Sequence, residues 1–193
     1  MKPGEIGFDF DGVIADIGET FIRLACQNHG YCSIALEDIS SFTIEDCLSI
    51  PPAVVEQIFL DILKDSIGTG LKPLPGALDG MISLGQHAPV TIITARPDIE
   101  PVHDWFDHYY PATARERIRL ISAKDHDNKG IYIREQNLRY FVDDRLQTCV
   151  QLAETGIKSI LFSQPWNRSG DDLPRVASWQ ELTLLFDFNS EIP

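Results

Sequence analysis

The chain has 193 residues, of which 44% are hydrophobic and 23% are charged, and its formal net charge is −13. This composition excludes a disordered or fibrous chain and fits one compact domain with a modest insertion. The acidic balance argues against binding to a polynucleotide or an anionic membrane, because both require clustered Lys and Arg. The N-terminus has no hydrophobic signal region and no apolar run is long enough to span a membrane, so we expect a cytoplasmic protein.

Five short apolar runs predict β-strands, since they are rich in β-branched and aromatic residues and too short for buried helices. They cover residues 5–10, 89–94, 119–122, 139–142 and 158–162. Amphipathic segments that predict helices follow the later strands, at residues 98–110, 129–136, 145–156 and 178–188. Gly156 is placed to end one helix and Ser178 to cap another. This alternation predicts an α/β fold with a parallel sheet covered on both faces.

One interval breaks the alternation, because residues 15–71 contain no convincing strand. Residues 18–30 and 51–68 look helical, and Pro51 and Pro52 are suited to a helix start. The stretch 71–76, with the sequence LKPLPG, predicts a stiff linker back to the sheet. We therefore predict a helical domain at residues 15–71, inserted into a core formed by residues 1–14 and 72–193.

The cysteines and histidines carry no recognisable motif. Cys26, Cys32, Cys47 and Cys149 form no C-x-x-C pair, and we expect them to fill apolar space. The five histidines show no metal-ligand spacing and are expected to be incidental.

Polar residues instead collect at the ends of the predicted strands, where ligands bind in an open parallel sheet. Asp9 and Asp11 end the first strand, Thr94 ends the second, and Asp143 and Asp144 follow the fourth. Several carboxylates brought together require a cation, and Mg²⁺ suits oxygen ligands and phosphate substrates. Each of these short motifs could also have a purely structural role, since D-x-D-G occurs in turns and an Asp-Asp pair caps helices. The order of these polar residues along successive strands favours a single active site at one edge of the sheet.

Three segments resemble the motifs of the haloacid dehalogenase superfamily: DFDGVIAD at residues 9–16, TIITAR at 91–96 and YFVDD at 140–144. The resemblance covers nearly the whole chain. It implies a three-layer α/β/α Rossmann-like core with a small all-helical cap inserted after strand 1. It also implies a Mg²⁺-dependent phosphatase acting on a small phosphorylated metabolite, without implying an oligomeric state.

The resemblance also implies roles for individual residues. Asp9 would be the nucleophile, and Asp11 would protonate the leaving group and then activate water. Thr94, with the backbone N–H of Ala95, would bind the phosphoryl group. The metal would be held by Asp9, by the backbone carbonyl of Asp11 and by Asp144, with Asp143 supporting it or binding through water.

The superfamily also requires a lysine before the fourth strand to balance the phosphoryl charge. Two candidates exist, Lys124 directly after the third strand and Lys129 at the start of the next helix. Lys129 is favoured because it lies about one helix upstream of Asp143. The alternative for either residue is an ordinary solvated lysine.

Within the superfamily, the chain most resembles the 5′(3′)-deoxyribonucleotidases and their bacterial relatives, on segments that include LEDISSFTI, LKPLPGALDGM and FSQPWNR. The resemblance implies that Phe42 stacks on a nucleobase, with packing inside the insertion as the alternative. Trp166 lies on a loop beyond the fifth strand at the active edge, where it could wall the pocket or simply pack. A phosphatase of sugar or other metabolite phosphates is the alternative, and a catalytically idle binding module is a further one. The presence of both Asp9 and Asp11 argues against the idle module.

Overall fold

The protein is built on a six-stranded sheet in which every neighbouring pair of strands is parallel. The computed structural model describes residues 1–169 and 172–188. The strand order is β3-β2-β1-β4-β5-β6. The strands are β1 (Ile6–Phe8), β2 (Val90–Thr94), β3 (Ile118–Ser122), β4 (Tyr140–Asp143), β5 (Lys158–Phe162) and β6 (Arg175–Val176). The predicted parallel α/β architecture is confirmed.

Two details of the sheet differ from the prediction. β1 ends at Phe8 rather than at residue 10, because the chain turns there, although the Asp9 N–H still donates to the Val142 carbonyl at 2.8 Å. The strand β6 was missed because it has only two residues, too few to show a pattern.

Eight α-helices connect and cover the strands of the described chain. They are α1 (Ile17–His29), α2 (Pro52–Lys64), α3 (Ala77–Gly85), α4 (Glu100–Tyr109), α5 (Ala112–Arg115), α6 (Lys129–Glu135), α7 (Leu146–Glu154) and α8 (Trp179–Leu184). Ser178 caps α8 by accepting the Glu181 N–H, and Gly156 follows α7 with a φ of 82°, as predicted for both. The sequence did not predict α3 and α5. None of the helices in residues 1–169 and 172–188 is both long and apolar enough to cross a membrane.

Both faces of the sheet are buried, because alternate residues of the central strands belong to two separate apolar clusters. Ile92 and Val142 lie in the larger cluster, whereas Ile93 and Phe141 lie in the smaller one, between the sheet and α6 and α7. The arrangement is the three-layer α/β/α architecture expected for a parallel sheet. It leaves the carboxyl ends of the strands free to form a site.

Residues 15–71, named here the insert, hold the helices α1 and α2 and two short 3-10 turns, Leu36–Asp38 and Ile44–Asp46. The chain enters and leaves the insert at adjacent points, where the Asp16 N–H donates to the Lys72 carbonyl and the Leu74 N–H to the Ile14 carbonyl, each at 2.8 Å. The insert is therefore joined to the sheet through two chain segments that lie side by side.

The expectation that all four cysteines fill apolar space is wrong for two of them. Cys26 and Cys32 form a disulfide that joins the end of α1 to the following loop. Gly30 ends that helix with a φ of 79°, and the left-handed turn brings Cys32 back beside Cys26. Cys149 is free and buried, as expected, and Cys47 is free and half-buried.

Candidate active site

Three buried carboxylates meet where β1 and β4 end side by side. Oxygen atoms of Asp9, Asp143 and Asp144 all lie within 4.8 Å of one another. Asp9 follows β1, whereas Asp143 closes β4, and the parallel pairing of these two strands brings their ends to the same edge. The structure thus brings together three of the four aspartates that the sequence singled out.

The fully buried Lys129 is the first residue of α6, and its ammonium group lies in the same cluster. Its Nζ is 2.8 Å from Asp9 Oδ2 and 2.7 Å from Asp143 Oδ2. Burial lowers the pKa of Lys129, but the Asp143 and Asp9 carboxylates outweigh it and raise that pKa above its ordinary value. The competing candidate, Lys124, is exposed on the loop after β3.

The charge of this cluster is not balanced by protein groups alone. Burial raises the pKa of Asp9 to about 7, and the Asp143 charge adds to this effect while Lys129 opposes it. Burial and the Asp143 charge also raise the pKa of Asp144 well above its ordinary value. Three carboxylates against one ammonium leave a strongly negative pocket of oxygen donors. Such a donor set fits a hard divalent cation such as Mg²⁺.

The Asp144 side chain is held in place by the turn that follows β5. Trp166 Nε1 donates to Asp144 Oδ2 at 2.8 Å, and Asn167 Nδ2 donates to the Asp144 backbone carbonyl at 2.7 Å. Gly12 passes so close that a Cβ there would collide with the Asp144 carboxylate, and its φ of 73° also favours glycine. Trp166 therefore supports a carboxylate in addition to lining the pocket, a contact that the sequence did not reveal.

Asp11 differs from the other three aspartates, because its carboxylate lies on Arg96 rather than in the cluster. Arg96 Nε donates to Asp11 Oδ2 and Arg96 Nη2 to Asp11 Oδ1, each at 2.7 Å. The sequence places Arg96 at the end of the second strand, in the segment TIITAR, but indicated no role for it.

Thr94 and Ala95 line the same cavity as Asp9 and Asp11. The backbone N–H of Arg96 donates to Thr94 Oγ1 at 3.2 Å. Because that bond uses a lone pair of the hydroxyl oxygen, the Thr94 hydroxyl proton is left to donate to a ligand.

A cavity of about 330 Å³ lies between these strand ends and the insert. Its floor is polar and includes Asp9, Asp11, Thr94, Arg96 and Asp144. The insert supplies a mostly apolar wall, formed by Ile17, Gly18, Phe21, Ile39, Ser41, Phe42, Ile44, Phe59 and Leu63. The rings of Phe21 and Phe59 stack at a centroid distance of 5.2 Å, and neither was singled out from the sequence.

Phe42 lines this cavity with 44% of its surface exposed, so it is not a buried core residue of the insert. The Arg145 guanidinium lies over its ring at 5.3 Å, and the His126 ring meets it edge-on at 5.6 Å. His126 also lines the cavity, and burial together with Lys129 lowers its pKa. His126 therefore lies beside the site, although the sequence analysis assigned it no role.

Parallel strands in this order, an insert after β1, and an aspartate cluster with a buried lysine at the strand ends define a phosphatase of the haloacid dehalogenase class. The sequence profile of the family described as "5′ nucleotidase, deoxy (Pyrimidine), cytosolic type C protein" matches residues 4–188. The chain belongs to this family.

Individual relatives agree with that classification. A protein of Oceanobacillus iheyensis, named "Putative nucleotidase", is 25% identical over an alignment of 181 residues that covers 86% of this chain and 94% of that protein. Among solved structures, a haloacid dehalogenase-like hydrolase of Streptococcus pneumoniae has a TM-score of 0.59 at 18% identity, covering 94% of this chain and 97% of that one. A predicted phosphoglycolate phosphatase of Haemophilus somnus has a TM-score of 0.63 at 10% identity, covering 94% and 97%. At these identities the two structures show the shared fold alone.

Proposed function

We propose that this phosphatase hydrolyses 5′-nucleoside monophosphates in a Mg²⁺-dependent reaction, through a phosphoryl group carried on Asp9. The observation that supports this most directly is the buried group of Asp9, Asp143, Asp144 and Lys129, of which Asp9 and Asp144 reach the polar floor of a cavity with a mostly apolar wall. Residues 15–71 act in this proposal as a cap over a core formed by residues 1–14 and 72–193.

In this proposal Asp9 is the nucleophile. The Phe10 N–H holds Asp9 Oδ1 at 2.7 Å and the Lys129 ammonium holds Oδ2 at 2.8 Å, so the carboxylate has a fixed direction. Its oxygen attacks phosphorus, the bond from phosphorus to the ester oxygen breaks, and Asp11 supplies the proton to the departing oxygen. Asp11 then takes a proton from the water that cleaves the aspartyl-phosphate.

The transferred phosphoryl group carries negative charge that the floor of the cavity has to stabilise. The Thr94 hydroxyl and the Ala95 N–H donate hydrogen bonds to its oxygens, while Lys129 supplies positive charge. Mg²⁺, held by Asp9, Asp144 and the Asp11 backbone carbonyl with Asp143 in support, would screen the repulsion between the nucleophile and the phosphate.

The wall of the cavity supports a nucleoside as the leaving group. The rings of Phe21, Phe42 and Phe59 belong to this apolar wall, and Trp166 also lines the cavity. Aromatic stacking on a nucleobase contributes about 1–3 kcal/mol. A sugar phosphate would leave its hydroxyl groups against apolar side chains, where they lack hydrogen-bond partners, so we rank this alternative lower. An idle binding module would not need the complete group of acidic residues.

The experiment that tests this proposal is a panel of phosphate esters assayed with Mg²⁺ and after its removal with a chelator. We expect kcat/KM for nucleoside 5′-monophosphates to exceed that for sugar phosphates by about tenfold or more, and we expect turnover to disappear without the metal. Asp9→Asn should abolish turnover while the protein stays folded, and Asp104→Asn, at an exposed aspartate of α4, is the matched control.

The outcomes separate the two parts of the proposal. Undiminished turnover in Asp9→Asn would show that the mechanism is wrong. Equal kcat/KM for sugar phosphates and nucleotides would reject the substrate class but leave the mechanism intact.

A further inference from the structure

Arg96 holds Asp11 by both carboxylate oxygens in a nearly closed environment. The Arg96 side chain is only 2% exposed, whereas the Asp11 side chain, on the cavity floor, is 21% exposed. A two-point contact between a planar guanidinium and a carboxylate fixes both the position and the plane of the carboxylate. A single hydrogen bond would leave that plane free to rotate.

The guanidinium itself is fixed by contacts on its other sides. Arg96 Nη1 donates to Ser66 Oγ at 2.7 Å, and the Phe10 ring lies 5.0 Å from Arg96 Cζ. Ser66 is buried in the turn after α2, where its hydroxyl donates to the Ile62 carbonyl at 3.1 Å. Arg96 is thus a rigid support that joins the insert to the carboxylate of Asp11.

We infer that Arg96 is a positioning residue, which orients the Asp11 carboxylate toward the leaving-group oxygen. The inference rests on the proposed function, in which the bond from phosphorus to the leaving oxygen breaks as the Asp9 ester forms and the Asp11 proton moves to that oxygen. Each Asp11 oxygen has a second lone pair beside the one that Arg96 uses, which leaves a position for the proton that Asp11 transfers.

This role has a chemical consequence that a purely structural role lacks. A leaving group that is stable as an anion departs without help, whereas an alkoxide requires a proton from a well-placed acid. Loss of the correct orientation of the Asp11 carboxylate should therefore slow the release of an alcohol far more than the release of p-nitrophenolate.

The test compares two substrates of similar size that each carry one benzene ring, p-nitrophenyl phosphate and benzyl phosphate. It uses kcat/KM, which reports the steps up to the departure of the leaving group. We expect Arg96→Met to lower kcat/KM for benzyl phosphate by about 100-fold and for p-nitrophenyl phosphate by less than about threefold. Arg96→Lys keeps the charge but cannot hold both oxygens, and we expect the same selective loss from it.

Two further variants complete the test. Asp11→Asn should show the same selectivity, and adding Arg96→Met to it should cause no further loss, because the two residues act as one unit. The control is Arg115→Met, since Arg115 pairs with Asp107 and lies over the Phe106 ring at a place that does not line the cavity. It should leave the ratio of the two rates unchanged.

Both rates are measured on one sample, so their ratio does not depend on the folded fraction. An equal loss on both substrates, or no loss on benzyl phosphate, overturns the positioning role. A failure of the proposed function looks different, because Asp9→Asn would then keep its activity on both substrates.

Discussion

At the scale of single residues, Lys129 shows how one buried charge organises the site. Its ammonium lies 2.8 Å from Asp9 and 2.7 Å from Asp143, with no exposure to solvent. The sequence favoured Lys129 over Lys124 from its spacing to β4. The spacing is informative because only one short helix separates Lys129 from the strand that ends at Asp143, which limits where the lysine side chain can reach.

Lys129→Met should destabilise the metal-free protein by about 3–5 kcal/mol, because it leaves the buried Asp9 and Asp143 carboxylates unpaired. Urea unfolding in the presence of a chelator measures this change. Lys124→Met, at an exposed lysine, is the matched control and should change stability by less than about 0.5 kcal/mol. Equal stability of the two variants would contradict the structural account of this ion-pair cluster.

At the scale of elements, the turn after β5 carries the support for Asp144. Trp166 and Asn167 come from a short 3-10 turn, Pro165–Asn167, and both reach across to the residue that follows β4. The sequence predicted β5 and placed Trp166 near the pocket. It could not predict this contact, because the direction of an indole N–H on a loop depends on the packing of neighbouring elements.

Trp166→Phe removes the N–H that Asp144 Oδ2 accepts and keeps an aromatic ring in the cavity wall. We expect the affinity for Mg²⁺ to fall by about tenfold or more, as measured from the Mg²⁺ dependence of turnover. Trp179→Phe is the matched control, since it loses an indole N–H that donates to the Val13 carbonyl, a group outside the carboxylate cluster. That variant should lose stability but keep its Mg²⁺ affinity, and unchanged affinity in Trp166→Phe would refute the supporting role.

At the scale of the whole molecule, the fold concentrates negative charge at one edge of its sheet, and this links stability to pH. Burial raises the pKa of Asp9 from an ordinary value of 3.8 to about 7. Between these values the folded protein keeps a proton that the unfolded chain has lost. The contribution of Asp9 to the stability of the metal-free protein therefore falls as the pH rises through this window.

Mg²⁺ should reverse this loss, because the ion replaces the proton. We expect the rise in Tm on adding Mg²⁺ to grow from about pH 5 to about pH 7 and then to level off. Comparing samples with and without metal at each pH cancels the titration of groups that lie away from the cavity. Asp9→Asn should remove the pH dependence of the rise in Tm on adding Mg²⁺. In the unchanged protein, a rise in Tm that is independent of pH would contradict this link between stability and pH.

The sequence by itself determined the alternation of strands and helices, the helical interval at residues 15–71 and the aspartates at the strand ends. These features are local, because they depend on hydrophobic periodicity and on which residue follows a strand. Only the tertiary structure decided that Asp11 pairs with Arg96 rather than joining the carboxylate cluster, and that Cys26 bonds to Cys32. The first depends on the direction of side chains from separate elements, and the second on a left-handed turn at Gly30, neither of which follows from sequence spacing.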